Sequence, residues 1–117
     1  MGNNGYRIEN VGGLNNGFDD YRLHFISGNG TDNKEVQLAP NNWDGDYTKW
    51  KFINLGNDVY YIESVGALNG GFDNPRLHFD NANGGASNDN LDMGPTSWAG
   101  DYMKWKMLDL SSGECRL

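Results

Sequence analysis

The chain of 117 residues has one cysteine, Cys115, which excludes an internal disulfide. It has no apolar run approaching the roughly 18 residues of a membrane helix. Its first ten residues, MGNNGYRIEN, lack both the basic start and the apolar core of a secretory signal. They begin Met-Gly-Asn, but Tyr6 stands where a myristoylation site needs Ser or Thr. The expected location is therefore cytoplasmic, or outside the cell without a classical signal peptide. Basic residues are scarce, 9 Lys+Arg against 16 Asp+Glu, so the net charge is −7. No basic stripe exists to hold phosphates, which argues against nucleic acid as a partner. Catalytic signatures are missing as well: there is no GxSxG and no HExxH, and the cysteine has no histidine near it in sequence. Two near-identical half-sites rarely build one asymmetric acid/base pair, so an enzyme is not expected. The two histidines, 54 residues apart with no cysteine partners, make no zinc motif. The stretch Asp80–Asp92 is rich in oxygen ligands but lacks EF-hand spacing, and the matching stretch upstream has fewer acids. No metal and no cofactor are expected.

Glycine, by contrast, is abundant, at 17 residues, and so are aromatics, with 4 Trp, 6 Tyr and 5 Phe. Many asparagines accompany them. Gly and Asn tolerate positive φ, so this mixture suits short strands joined by tight turns and disfavours long helices. The aromatic content argues against disorder. At this length the chain is one domain, able to bury roughly two-thirds of its unfolded surface.

The chain is also a duplication. YRIENVGGLNNGFDDYRLHF (6–25) returns as YYIESVGALNGGFDNPRLHF (60–79), identical at 14 of 20 positions. WDGDYTKWKF (43–52) returns as WAGDYMKWKM (98–107), identical at 7 of 10. Such a unit is one supersecondary module that cannot bury its apolar face alone. Repeat 1 spans about 1–54 and repeat 2 about 55–109. The ends align too: Met1–Ile8 matches Leu55–Ile62 and again Leu110–Leu117. Residues 110–117 therefore read as the first strand of a third copy, with Cys115 at the place of Tyr6 and Tyr60. That strand needs a partner, in repeat 1 or in another chain.

Alternation over four to six residues predicts four strands per repeat: Tyr6–Val11, Arg22–Ile26, Glu35–Ala39 and Lys49–Ile53, then Tyr60–Val65, Arg76–Asp80, Asn90–Met93 and Lys104–Leu108. GLNNGFDD, SGNGTDN and PNNWDGD read as turns. Pro40 and Pro95 stop the third strand of each copy. No segment reads as a capped helix of useful length. The same alternation places Trp50, Phe52, Trp105 and Met107 on the apolar face, with the intervening lysines opposite. Ile8, Ile62, Leu23, Phe25, Leu77, Phe79, Val36, Leu38, Leu91 and Met93 join them.

"YRIENV" opening a repeat, then "EVQLAPNNWDGDYTKWKF" and "YYIES" opening the next, resembles the β-trefoil lectins, especially the ricin-B type. The resemblance covers both repeats. It implies an all-β, β-trefoil-like fold of two tandem four-stranded repeats; because a trefoil has three, the fold is either completed by oligomerisation or strand exchange or is a different two-repeat β-structure. It also implies a non-catalytic lectin whose partners are glycans or glycoproteins. The chain departs from that pattern where Thr48 and Met103 replace the family's glutamine before the closing Trp, and in repeats longer than is usual for the ricin type.

Two sets of copied polar residues are candidate sugar contacts. Arg22 and His24, with Arg76 and His78, face away from the apolar side of the second strand. Asn15, Asn16, Asp19 and Asp20 precede the first pair, and Asn69, Asp73 and Asn74 the second. A carboxylate, an amide and an Arg match hydroxyls that both donate and accept. The structural alternative is an Asp19–Arg22 salt bridge beside a solvated histidine. Trp43, Asp46 and Tyr47, repeated as Trp98, Asp101 and Tyr102, form the second set; an indole beside a carboxylate and a phenol suits the apolar face of a sugar. Its structural alternative is a tryptophan plugging the end of a barrel. The competing reading is a structural or protein-binding module, such as a loop-based protease inhibitor, which would concentrate its contacts in one divergent loop, 27–34 or 81–89.

Overall fold

The computed structural model describes residues 5–26, 36–80, 90–109 and 115–116. The inhibitor-type loops 27–34 and 81–89, and most of Asp80–Asp92, lie outside them. Among the described residues the chain is predominantly β. Repeat 1 holds β1 (Gly5–Tyr6), α1 (Val11–Asn15), β2 (Arg22–Phe25), β3 (Val36–Ala39) and β4 (Trp50–Gly56). Repeat 2 holds β5 (Val59–Ser64), α2 (Val65–Gly70), β6 (Arg76–Asp80), β7 (Asn90–Gly94), β8 (Trp105–Lys106) and β9 (Leu108–Asp109). β10 (Cys115–Arg116) follows. Every paired strand is antiparallel.

The duplicated sequences pair in matching registers. Tyr6 opposes Trp50 as Tyr60 opposes Trp105. His24 opposes Gln37 as His78 opposes Asp92. The copies are joined by the β4–β5 hairpin, whose turn residues Asn57 and Asp58 both have positive φ, 54° and 63°. That is the type I′ combination, whose twist matches the flanking strands. One sheet follows the path β1-β4-β5-β6-β7, with β8 also pairing β5; β2-β3 and β9-β10 form separate two-stranded pairs.

Several expectations need correction. The Gly-rich segments expected as turns contain one-turn helices. Asn10 Oδ1 accepts from Gly13 N at 2.8 Å to cap α1, and Ser64 Oγ accepts from Ala67 N at 3.1 Å to cap α2. α2 closes on Gly71 in the left-handed region, φ 71°. Helices this short are marginal alone and persist here through packing. Two 3-10 turns, Asp46–Thr48 and Asp101–Met103, precede the closing strands. The first strand is cut back to Gly5–Tyr6, although Glu9 still bridges Arg22. The predicted Lys104–Leu108 strand divides into β8 and β9. Of the strand expected at 110–117, the described residues Cys115–Arg116 form β10, which pairs β9 of repeat 2, Cys115 opposite Asp109. The prolines act as expected, since β3 ends at Ala39 and β7 at Gly94.

The core is Phe25, Trp50, Phe52, Tyr60, Ile62, Ala67, Leu77 and Met93, drawn from both repeats. Ile8, Leu23, Val36, Trp105 and Met107 pack against it partly buried. Trp50 and Trp105 also donate their indole N–H to the carbonyls of Leu23 (3.1 Å) and Leu77 (3.2 Å), which ties each closing strand to β2 or β6. Leu38 and Leu91 depart from the expected core and are exposed. Their side of the strands faces an open apolar hollow of about 420 Å³, lined by Ile8, Leu23, Leu38, Leu77, Leu91 and Trp105 among others. Alternation gives the correct side of the strand there, but among the described residues no element closes over it.

Candidate functional site: a twice-built tryptophan–histidine corner

The arginines read as outward-facing sugar contacts are occupied inside the protein. Arg22 Nη2 lies 2.6 Å from Glu9 Oε2, and Arg76 Nη2 lies 2.7 Å from Glu63 Oε2. In both copies the Nε of the same arginine donates to the same oxygen at 2.9 Å. The free Nη1 then donates to the carbonyl of Trp43 or Trp98, 3.3 Å in each copy. The rigid guanidinium places donors on separate nitrogens, two on the carboxylate and one on the carbonyl, a geometry that the single ammonium nitrogen of a lysine does not offer. In place of the Asp19–Arg22 pair given as the structural alternative, Arg22 pairs with Glu9 and, at 3.4 Å, with Asp44 Oδ1. Repeat 2 has the more buried version, with side-chain exposures of 9% for Arg76 and 5% for Glu63, against 12% and 28% in repeat 1. Tyr61 covers the Arg76 guanidinium at 3.7 Å.

Position 7, the counterpart of position 61, shows a compensated difference. Tyr61 donates its hydroxyl to the Ala99 carbonyl at 3.3 Å. Arg7 donates Nη2 to the equivalent carbonyl, Asp44 O, at 2.9 Å. The Trp-x-Gly-Asp-Tyr loop is thus tied down by different side chains at the same backbone atom. Thr48, standing where the resembled family has glutamine, is buried and bonds the carbonyls of Gly45 (2.8 Å) and Trp43 (3.1 Å). Met103, its counterpart, is also buried.

What this bracket holds in place is an exposed indole. Trp43 and Trp98 are each 46% exposed, so neither plugs the structure. His24 meets Trp43 edge-on with ring centroids 5.2 Å apart, and His78 meets Trp98 at 5.2 Å. The residue across the strand pair then sets each histidine. Gln37 Nε2 donates to His24 Nδ1 at 3.2 Å, which leaves the proton of the neutral ring on Nε2. In repeat 2, Asp92 Oδ1 accepts from His78 Nδ1 at 2.7 Å. Partial burial pushes the His24 pKa below its ordinary 6.5.

The remaining candidates scatter. Asn15 and Asn16 are exposed at the end of α1, where Asn16 Nδ2 donates to Gly12 O at 2.8 Å. Asn16, Asp19, Asp20, Phe18 and Tyr21 help line an open hollow of about 630 Å³ beside that helix. In repeat 2 the set breaks up: Asn69 and Asp73 are exposed, while Asn74 is buried. Asp46 bonds Lys49 Nζ and Asn69 Nδ2, both at 3.1 Å, and these contacts hold its carboxyl below the ordinary 3.8. Tyr47 is wedged against α2 and Tyr102 is exposed. Glu9, Glu63, Gln37 and Asp92 were missed in sequence. The signal for the glutamates was available, because Glu9 and Glu63 are themselves a copied pair. Gln37 and Asp92 are not identical, so duplication could not flag them. Among the described residues no group of three or more His, Cys, Asp and Glu is placed to hold a metal.

The chain matches no protein-family model, no curated protein and no solved structure.

Proposed function

We propose that the protein binds carbohydrate without catalysis, one weak site per repeat, at the Trp43–His24 and Trp98–His78 corners. The observation that carries this reading is the twin exposed indole, held by the same arginine fork and flanked by the same histidine in both copies. An indole face takes the C–H side of a pyranose, and the neighbouring polar groups then take its hydroxyls. Gln37 and His24 serve repeat 1; Asp92 and His78 serve repeat 2. The carboxylate only accepts, whereas the amide also donates, so the two sites differ in hydroxyl preference. Two such sites on one chain gain by avidity, on the order of 10²–10⁴ in apparent affinity on a multivalent surface. The arginines act by positioning the loop.

A glycan array tests this with wild type, Trp43→Ala, Trp98→Ala and the double variant. Wild type binds at least one glycan class, each single variant binds more weakly, and the double variant does not bind. The urea midpoint of each variant stays near wild type, because both indoles are half exposed. Wild type that binds no glycan on the array overturns the reading. So does a double variant that binds as wild type does.

A further inference from the structure

The junction between the repeats shows how this module docks on a copy of itself. The 3-10 turn Asp46–Thr48 of repeat 1 lies against α2 of repeat 2. Tyr47 covers Gly66 so closely that a Cβ there would overlap its ring. Phe72, just after α2, meets Phe25 edge-on at 5.2 Å and Tyr47 at 6.2 Å. Asn69 Nδ2 donates to Asp46 Oδ2 at 3.1 Å. Each repeat carries both halves of this contact, so one junction uses only one half from each. Among the described residues the other halves stand open.

On repeat 1, Gly12, Asn15 and Phe18 occupy the places of Gly66, Asn69 and Phe72. Phe18 is 65% exposed, and a Cβ on Gly12 would meet only Asn10 Oδ1, at 3.2 Å. On repeat 2, Asp101, Tyr102 and Phe79 occupy the places of Asp46, Tyr47 and Phe25. Tyr102 is 52% exposed and stacks on Phe79 at 5.9 Å. Among the described residues the helix face lacks its tyrosine, and the tyrosine face lacks its helix.

We propose that these faces are the two halves of an interface between copies of this chain. The Asp101–Met103 turn of one copy docks on α1 of the next. Tyr102 covers Gly12, Phe18 packs edge-on against Phe79, and Asn15 donates to Asp101. The occupant is a second copy because the complementary residues belong to this sequence and already make this contact once within it. The contact is head-to-tail, so it extends into a ring or a filament according to the rotation per step. The net charge of −7 opposes it, so added salt strengthens the association.

Light scattering over a concentration series tests the proposal with wild type, Phe18→Glu, Tyr102→Glu and an equimolar mixture of the two variants. Wild type rises above the 13.0 kDa monomer mass with concentration, and further with salt. Each variant stays at 13.0 kDa. The mixture forms a species of twice that mass, because Phe18→Glu keeps an intact Tyr102 face and Tyr102→Glu keeps an intact α1 face. Asp101→Arg, at a side chain 95% exposed, repeats the test of the second face without disturbing the Phe79 stack. Far-UV spectra establish that each variant is folded. Wild type that is monomeric at every soluble concentration overturns the proposal. So does a folded variant that associates as wild type does, or a mixture that stays monomeric.

Discussion

At the scale of single residues, burial decides what a copied side chain is for. Arg22 and Arg76 are identical in sequence, but Arg76–Glu63 is nearly enclosed and Arg22–Glu9 borders solvent. Removing one partner of an enclosed pair leaves an uncompensated charge, at a cost of about 3–5 kcal/mol, whereas a solvent-bordering pair is worth about 1 kcal/mol or less. Arg76→Ala is therefore expected to lower stability by about 3 kcal/mol or more, and Arg22→Ala by about 1 kcal/mol. Urea denaturation of the two variants checks the difference; equal losses would refute it. His24 gives a pH dependence. Its pKa is lowered by burial in the folded chain, so the unfolded chain takes up the proton first as pH falls. Stability present above the ordinary 6.5 is lost below it, until the folded state is protonated too. Wild type should lose urea resistance between about pH 7 and pH 5, and His24→Gln should lose less. Asp46 adds loss of the same sign below its ordinary 3.8. Much of this was legible in outline, since duplication singled out Arg22, His24 and Trp43 with their counterparts. Direction was not, because alternation tells which side of a strand a residue takes and not whether a glutamate 13 positions away reaches it.

At the scale of elements, two short helices that read as turns organise the molecule. They were invisible to propensity because VGGLN and VGALNG contain residues that lower helix stability. Asn10 and Ser64 cap them, but an Asn or Ser before so short an apolar stretch marks a turn equally well in sequence. The reason for the glycines lies in packing: Gly66 admits Tyr47, and a Cβ on Gly13 would meet Tyr21 Cβ at 2.7 Å. Gly66→Ala is thus expected to cost about 1–3 kcal/mol by overpacking. Gly12→Ala, at the equivalent position with no tyrosine over it, should stay within about 1 kcal/mol of wild type, because improved helix propensity offsets the adjustment of Asn10. Thermal melts of both variants in dilute solution decide the matter. A Gly66→Ala protein as stable as wild type would contradict the packing seen at Tyr47.

At the scale of the whole molecule, the two modules do not share burial equally. Neither was expected to bury its apolar face alone, and among the described residues the buried cluster takes three residues from repeat 1 and five from repeat 2. Phe25, Trp50 and Phe52 come from repeat 1, and Tyr60, Ile62, Ala67, Leu77 and Met93 from repeat 2. The all-β character and the proline stops were legible, because they depend on local pattern; the strand registers were not read from it. The off-centre core was not, because Leu38 and Met93 share one pattern while Leu38 is half exposed and Met93 is buried. What distinguishes them is which repeat lies above, and that is a property of the assembled chain. It follows that neither repeat retains a core alone, since cutting between Asn57 and Asp58 divides the cluster and breaks the hairpin that aligns β4 with β5. Repeat modules gain stability mainly from their neighbours. The intact chain should therefore unfold in one cooperative transition. The separate fragments 1–57 and 58–117 should show none, and the mixed fragments should recover a weaker, concentration-dependent one as the core re-forms between them. Circular dichroism melts of the three samples check this. A cooperative melt from either fragment alone would show that a repeat is self-sufficient, and the single-core reading would fail.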